Sequence, residues 1–218
     1  GISVDCAPLL DVRGPATHPA IGDRALASEP LPVASLGRAV LRGLAAGGVV
    51  GVVKHMPGQG RAGVDSHHDL PVVDADDTAL ADDLIPFERL NDAPMGMTGH
   101  VVYPAWDSAL PATLSPTIIA SIIRGRIGFD GFLMSDDLDM NALKGDVADR
   151  AAACVTAGCD AALNCWARMD EMVAIAHALP AMTERGTARL TAAMASVAPE
   201  KADFAELIAK RDALLALV

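Results

Sequence analysis

A chain of 218 residues, 51% of them apolar, is long enough for one domain, or a large part of one, with a buried core. Its formal net charge of −11 excludes the basic footprint of a nucleic-acid binder. No apolar run approaches the ~20 residues that cross a bilayer.

Apolar runs alternate with helical patterns along the whole chain. Ile2–Leu10 reads as a strand that runs into Asp11-Val12-Arg13-Gly14. Val33–Ala46 has helical spacing and stops at Gly47-Gly48. Val49–Val53 is a β-branched strand that ends at Lys54-His55. Asp76–Leu84 predicts a helix, with Asp76 or Asp77 as its cap. Pro94–Thr98 is a short strand before Gly99-His100. Ser115-Pro116 opens a helix over Thr117–Arg126. Gly131–Met134 is a strand before Ser135-Asp136-Asp137, and Asp146–Ala157 is a helix ended by Gly158. Ala161–Leu163 is the last strand, ahead of Asn164-Cys165. Helical patterns follow at Met169–Leu179, Thr187–Ser196 and Ala202–Leu217.

The pattern is βα repeated about five times. The strands are continuous apolar runs, as strands buried on both faces should be, so the class is α/β with a parallel sheet. A doubly wound dinucleotide fold needs a Gly-rich loop after its first strand, and Asp11-Val12-Arg13-Gly14-Pro15 is not one. Gly58-Gln59-Gly60 lacks the third Gly and the following helix. A barrel fits better. Asp11, Lys54 with His55, His100, Asp136 and Asn164 close successive strands, and a barrel's chemistry sits at those strand ends.

The four cysteines, Cys6, Cys154, Cys159 and Cys165, form no C-x-x-C pair, which reads as free thiols in a reducing compartment. No signal-peptide pattern is visible, and a cytoplasmic location is the expectation. The chain begins inside a strand-like pattern, so further chain is expected upstream of Gly1.

Several residues carry chemistry. Asp136, directly after an apolar run, can attack an anomeric carbon or can cap a helix. Asp137 is the more natural cap or structural partner. Asp65 lies two residues from His67 and can accept its ring N–H, which fixes the tautomer for proton transfer. Asp65, His67, His68 and Asp69 could mimic a metal cluster, but no helical H-E-x-x-H spacing supports one. Lys54 and His55 alternate faces, yet both can reach a ligand at a strand end. Arg24 is a loop cation after the first strand. His100 is expected to face the mouth of the barrel. His18 and His177 read as surface or packing residues.

Taken together, Ala7-Pro8-Leu9-Leu10-Asp11-Val12, Ile21-Gly22-Asp23-Arg24, Lys54-His55-Met56-Pro57-Gly58-Gln59-Gly60, Asp65-Ser66-His67, Gly99-His100-Val101-Val102-Tyr103, Gly128-Phe129-Asp130-Gly131, Ser135-Asp136-Asp137-Leu138 and Ala157-Gly158-Cys159-Asp160 resemble glycoside hydrolase family 3, in particular its NagZ-type β-N-acetylglucosaminidases. The pieces come in the family's order over about residues 3 to 165.

The resemblance implies a (β/α)8 TIM-type barrel, of which this chain supplies about the last five βα units. Residues 1–218 would be a single, partial catalytic domain, completed by an N-terminal segment or a companion chain. It implies Asp136 as nucleophile, His67 as acid/base paired with Asp65, and Arg24, Lys54 and His55 as N-acetylglucosamine binders. The implied substrates are β-linked muropeptide fragments of peptidoglycan recycling, with no cofactor and no metal. A sugar-binding carboxylate on the third strand-end loop would lie in the units that precede this chain. The family usually has Phe where Met56 stands and His where Gln59 stands. Phosphorolysis by the same residues, or a non-catalytic sugar-binding remnant, are the competing readings.

Overall fold

Five parallel strands form one sheet in the order β1-β2-β3-β4-β5 in this computed structural model. They are β1 (Val4–Asp5), β2 (Val50–Met56), β3 (Met95–Thr98), β4 (Phe132–Asp137) and β5 (Ala161–Leu163). The structure describes residues 1–197, 199, 201 and 203–217. Consecutive order with no reversal is what a barrel wall requires; a doubly wound sheet reverses. The sheet is therefore an arc of a TIM-type barrel.

The connections cover its convex face. Helix α1 (Pro30–Ala46) links β1 to β2, and α2 (Asp77–Arg89) links β2 to β3. Asp76 caps α2 by accepting the Ala79 N–H at 2.8 Å. Ile118–Arg126 links β3 to β4 with wide π-type turns, the Ile127 N–H reaching Ile122 O at 2.8 Å. Helix α3 (Val147–Ala157), capped by Asp146, links β4 to β5. Leu10, Val53, Met56, Leu80, Leu84, Phe87, Ile118, Ile123, Phe129 and Leu133 pack as one core between sheet and helices.

The concave face alternates with it. Val50 and Val52, Met95 and Met97, and Phe132 and Met134 point inward at the two-residue strand period. Three helices follow β5: α4 (Met169–Ala178), α5 (Glu184–Met194) and α6 (Phe204–Leu215). Leu190 and Ala193 of α5 pack into the concave cluster. Arg189 of α5 is bonded to Asp130 and Asp160, which lie just before β4 and β5. Helix α5 thus closes the N-terminal end of the sheet, away from the chemistry.

Several expected elements have different bounds; β2, for example, runs on past Val53 to Met56. The first strand keeps only Val4–Asp5 as regular ladder, because Pro8 has no N–H to donate. Its pairing continues irregularly, with the Val52 N–H on Ala7 O at 2.9 Å and the Leu10 N–H on Lys54 O at 2.6 Å. Strand β4 runs on through Ser135, Asp136 and Asp137, so Asp136 is not a helix cap. Helix α2 continues past Leu84 to Arg89 with Pro86 inside it. Helix α5 begins at Glu184, where the Thr183 hydroxyl accepts the Gly186 N–H at 3.0 Å. Ala202, the expected start of the last helix, lies outside the described residues.

Candidate active site

The C-terminal end of β2 sets the floor. Val50, Val52 and Lys54 share the inward parity, which sends the Lys54 side chain into the barrel. The β2–β3 register shifts between Val53 and Met56, and this irregularity lets His55 reach the same space. Buried Asp11 holds this turn. Its Oδ2 accepts His55 Nδ1–H at 2.7 Å, and its Oδ1 accepts the Gln59 N–H at 2.7 Å and the His55 N–H at 3.3 Å. The His55 proton is thereby placed on Nδ1, and Nε2 faces Asp136 Oδ2 at 3.7 Å.

The next turn is a close fit. A Cβ on Gly60 would stand 2.0 Å from Val12 O, and Gly58 has φ +135°. The Tyr103 hydroxyl donates to Gly58 O at 2.8 Å. Burial pushes this phenol well above its ordinary pKa, so it stays a donor.

Asp136 shares the inward parity of Phe132 and Met134. Its Oδ1 accepts the Asp137 N–H at 2.8 Å. Asp137 turns the other way and accepts the Asp139 and Cys165 N–H groups at 3.2 and 3.0 Å. Ser135 Oγ accepts the Leu163 N–H at 2.9 Å, which fixes β4 against β5.

Asp65 and His67 lie on the loop after β2. Asp65 Oδ1 accepts both the His67 N–H (2.9 Å) and His67 Nδ1–H (2.7 Å). Burial raises the Asp65 carboxyl, but these bonds outweigh it and hold the group below the usual carboxylate range. Nδ1 is committed to Asp65, so Nε2 is free for a substrate. The His67 side chain is 58% exposed. Its loop is pinned by the Asn141 N–H on His67 O and the Ala142 N–H on Ser66 O.

One cleft of about 430 Å³ gathers Arg24, Lys54, His55, Asp65, His67 and Asp136, the six residues to which the family resemblance gives a role. Arg24 is steadied by a 2.9 Å bond from its guanidinium to Ala20 O. Among the described residues, no group of three His, Cys, Asp or Glu side chains converges as metal ligands would. Nor is any described helix long and apolar enough to cross a membrane.

His100 does not face the mouth. It is fully buried, with Nε2 2.9 Å from Asp137 O and Nδ1 2.7 Å from Thr113 Oγ1. A carbonyl only accepts, so Nε2 carries the proton and Nδ1 accepts from the Thr113 hydroxyl. Burial is the main reason its pKa is lowered, and the ring stays neutral. His100 is thus a strut under the end of β4.

Residues 1–198 match the Glycosyl hydrolase family 3 N terminal domain. The chain belongs to glycosyl hydrolase family 3. Within this family it is 45% identical over 173 residues to a β-hexosaminidase of Chromobacterium violaceum, covering 76% of this chain and 47% of that protein. A β-hexosaminidase of Bordetella avium is 41% identical over the same share of this chain and 48% of its own length. The chain thus spans about half the length of these relatives.

Solved family members share the fold. A glycoside hydrolase family 3 β-N-acetylglucosaminidase from Paenibacillus superposes with a TM-score of 0.83 at 35% identity, over 93% of this chain and 42% of its own. NagZ from Neisseria gonorrhoeae, in complex with N-trifluoroacetyl-D-glucosamine, gives 0.77 at 34% identity, over 88% and 55%.

Sequence reasoning missed several residues of the cleft. His18, read as a surface or packing residue, lines the cleft and accepts the Ala20 N–H at 3.2 Å. Trp166 and Cys165 line it too. Each is a lone residue in a loop, with no periodicity or spacing to mark it. Gln59, the departure from the family's His, is buried below the Asp65–His67 loop, its Nε2 3.5 Å from Ser66 Oγ.

Proposed function

We propose that this chain is the catalytic portion of a retaining exo-β-N-acetylglucosaminidase. It releases N-acetylglucosamine from β-linked muropeptide fragments in cytoplasmic peptidoglycan recycling. The observation that carries this reading is the convergence of the Asp136 carboxylate and the Asp65–His67 pair on one cleft. Identity to β-hexosaminidases over three quarters of the chain supports it.

Asp136 Oδ2 attacks the anomeric carbon while His67 Nε2–H gives its proton to the departing oxygen. The Asp136–sugar ester forms as the glycosidic bond breaks. His67, now neutral at Nε2, takes a proton from water, which attacks the same carbon and releases Asp136. Asp65 keeps Nδ1 protonated throughout and stabilises the imidazolium. Lys54, Arg24 and His55 bind the N-acetylglucosamine ring: the two cations donate to its hydroxyls and amide carbonyl, and His55 Nε2, with the ring proton on Nδ1, accepts from a hydroxyl.

Five strands do not close a barrel. We therefore place an N-terminal segment or companion chain of about three βα units against the free edges of β1 and β5. Phosphorolysis is the second reading: a neutral imidazole acid/base does not repel phosphate, and Arg24 and Lys54 are cations in the same cleft. The test is product analysis on a β-N-acetylglucosaminide with and without phosphate. Free N-acetylglucosamine of retained configuration in both supports hydrolysis. Phosphate-dependent N-acetylglucosamine 1-phosphate moves the activity to phosphorolysis, and no turnover by the complete protein sinks both.

A further inference from the structure

Aromatic side chains are scarce in this chain, with two Trp residues. Trp106 is engaged, its Nε1–H donating to Asp77 at 2.7 Å and its ring lying against Tyr103. Trp166 is not. It is 70% exposed, yet it lines the same cleft as His67 and Asp136. A large apolar ring held in water at the rim of a polar cleft has given up its burial energy.

The loop that holds it is tightly tied. The Cys165 N–H donates to Asp137 Oδ1, and the Ala167 N–H to Asn164 Oδ1, both at 3.0 Å. Asn164 Nδ2 and the Arg168 guanidinium bind the two oxygens of Asp139 at 2.7 and 2.8 Å. Ala167 sits at φ +51°, the one non-glycine residue at positive φ among the described residues. That conformation is unfavourable for an L-residue.

Asp137–Leu143, which anchors the Trp166 loop, also anchors the loop of His67 through the Asn141 and Ala142 amides. The proton donor and the indole are therefore fixed to one segment. The leaving group must lie where His67 can protonate it. Arg24 and Lys54 supply cationic donors to the cleft, whereas exposed Trp166 and Val64 supply apolar surface at its rim. A β-linked hexopyranose with equatorial substituents presents axial C–H groups on its faces, and these suit the negative face of an indole.

We propose that Trp166 is a stacking platform for the sugar ring of the leaving group, forming a second subsite at the mouth of the cleft. This rests on the reading of the cleft as a β-N-acetylglucosaminidase site. It makes Trp166 a determinant of aglycone choice.

The test compares two substrates in the complete protein: N,N′-diacetylchitobiose, whose leaving group is a sugar, and N-acetyl-β-glucosaminyl fluoride, whose leaving group has no ring. Trp166→Ala should lower the ratio of their kcat/KM values about tenfold (~1.4 kcal/mol), chiefly through KM for the disaccharide. Trp166→Phe should restore most of the ratio. An unchanged ratio in Trp166→Ala overturns the proposal, as does an equal loss on both substrates. Tryptophan emission separates this from failure of the activity itself. In an Asp136→Asn protein the disaccharide should shift the emission, and the shift should vanish when Trp166→Phe is added. If the wild type turns over neither substrate, the proposed activity fails, and an absent or Trp166-independent shift then overturns the platform independently.

Discussion

Asp136 and Asp137 are adjacent carboxylates with different surroundings. Asp136 faces the cleft with one oxygen held by an amide, whereas Asp137 spends its Oδ1 on two loop amides. Asp136→Ala should abolish turnover and leave the fold intact, checked by circular dichroism and a chromogenic N-acetylglucosaminide. A 5-fluoro glycoside should label Asp136; labelling of Asp137 would reverse the assignment. His67→Ala should cost ~10²–10⁴-fold on poor leaving groups and less on activated ones. Asp65→Ala should follow the same pattern, since it frees the His67 tautomer, and a fully active Asp65→Ala protein would dissolve the pair. The place of these residues at the cleft was legible because each stands in a dense motif: an apolar run ending in carboxylates, or an Asp two residues before a His. His18 and Trp166 were not, because only the folded loops bring them to the cleft. His100 was legible as a strand-end residue but not as a buried one. Its orientation depends on Thr113 and Asp137 O, which no local spacing announces.

At the level of elements, apolar runs located every strand, but the strand ends depended on pairing. Strand β4 extends over three polar residues because Leu163, Cys165 and His100 satisfy its end. Helix α2 passes through Pro86, which sequence rules read as a stop, because its apolar face is buried in the core at Leu80, Leu84 and Phe87. The strut under β4 has a pH consequence. His100 is buried and its pKa is lowered, so the unfolded chain takes up a proton that the folded state refuses. Unfolding then binds more protons, and stability falls as pH drops below the unfolded value near 6.5. Thermal melts from pH 7.5 to 5 should show a declining midpoint. His100→Gln should flatten that decline, while His100→Ala should cost about 1–3 kcal/mol at pH 7.5 by leaving Asp137 O without its donor, a cost that shrinks as the pH falls because the titrating ring is gone. A decline of identical slope in His100→Gln would assign the proton to another group.

At the scale of the molecule, the consecutive strand order was legible from five βα repeats, and it is the order of a barrel wall. The degree to which the arc covers itself was not legible. Val50, Val52, Met95, Met97 and Phe132 on the concave face are buried, because the sheet curls and α5 plugs its N-terminal end. What stays open is peripheral. Val4, Cys6, Ala161 and Leu163 at the two edge strands are half-buried, and α6 presents Phe204, Leu207, Ile208, Leu214 and Leu215 to solvent. Free parallel edges beside exposed apolar side chains favour association with other chain. Strand number sets the circumference of a barrel, so five strands leave a gap that about three βα units, ~100 residues, would fill. In the proposed mechanism the sugar must be enclosed beside Asp136, which an open arc does not achieve. Residues 1–218 expressed alone should therefore be inactive on N-acetylglucosaminides and should self-associate in size-exclusion chromatography. Adding three βα units of a family 3 barrel, in cis or as a separate polypeptide, should give a monomeric barrel and turnover together. A 218-residue chain that is monomeric, unfolds cooperatively and hydrolyses the substrate at an ordinary rate of 1–10³ s⁻¹, to order of magnitude, would show that the arc is sufficient and that barrel closure plays no part in this active site.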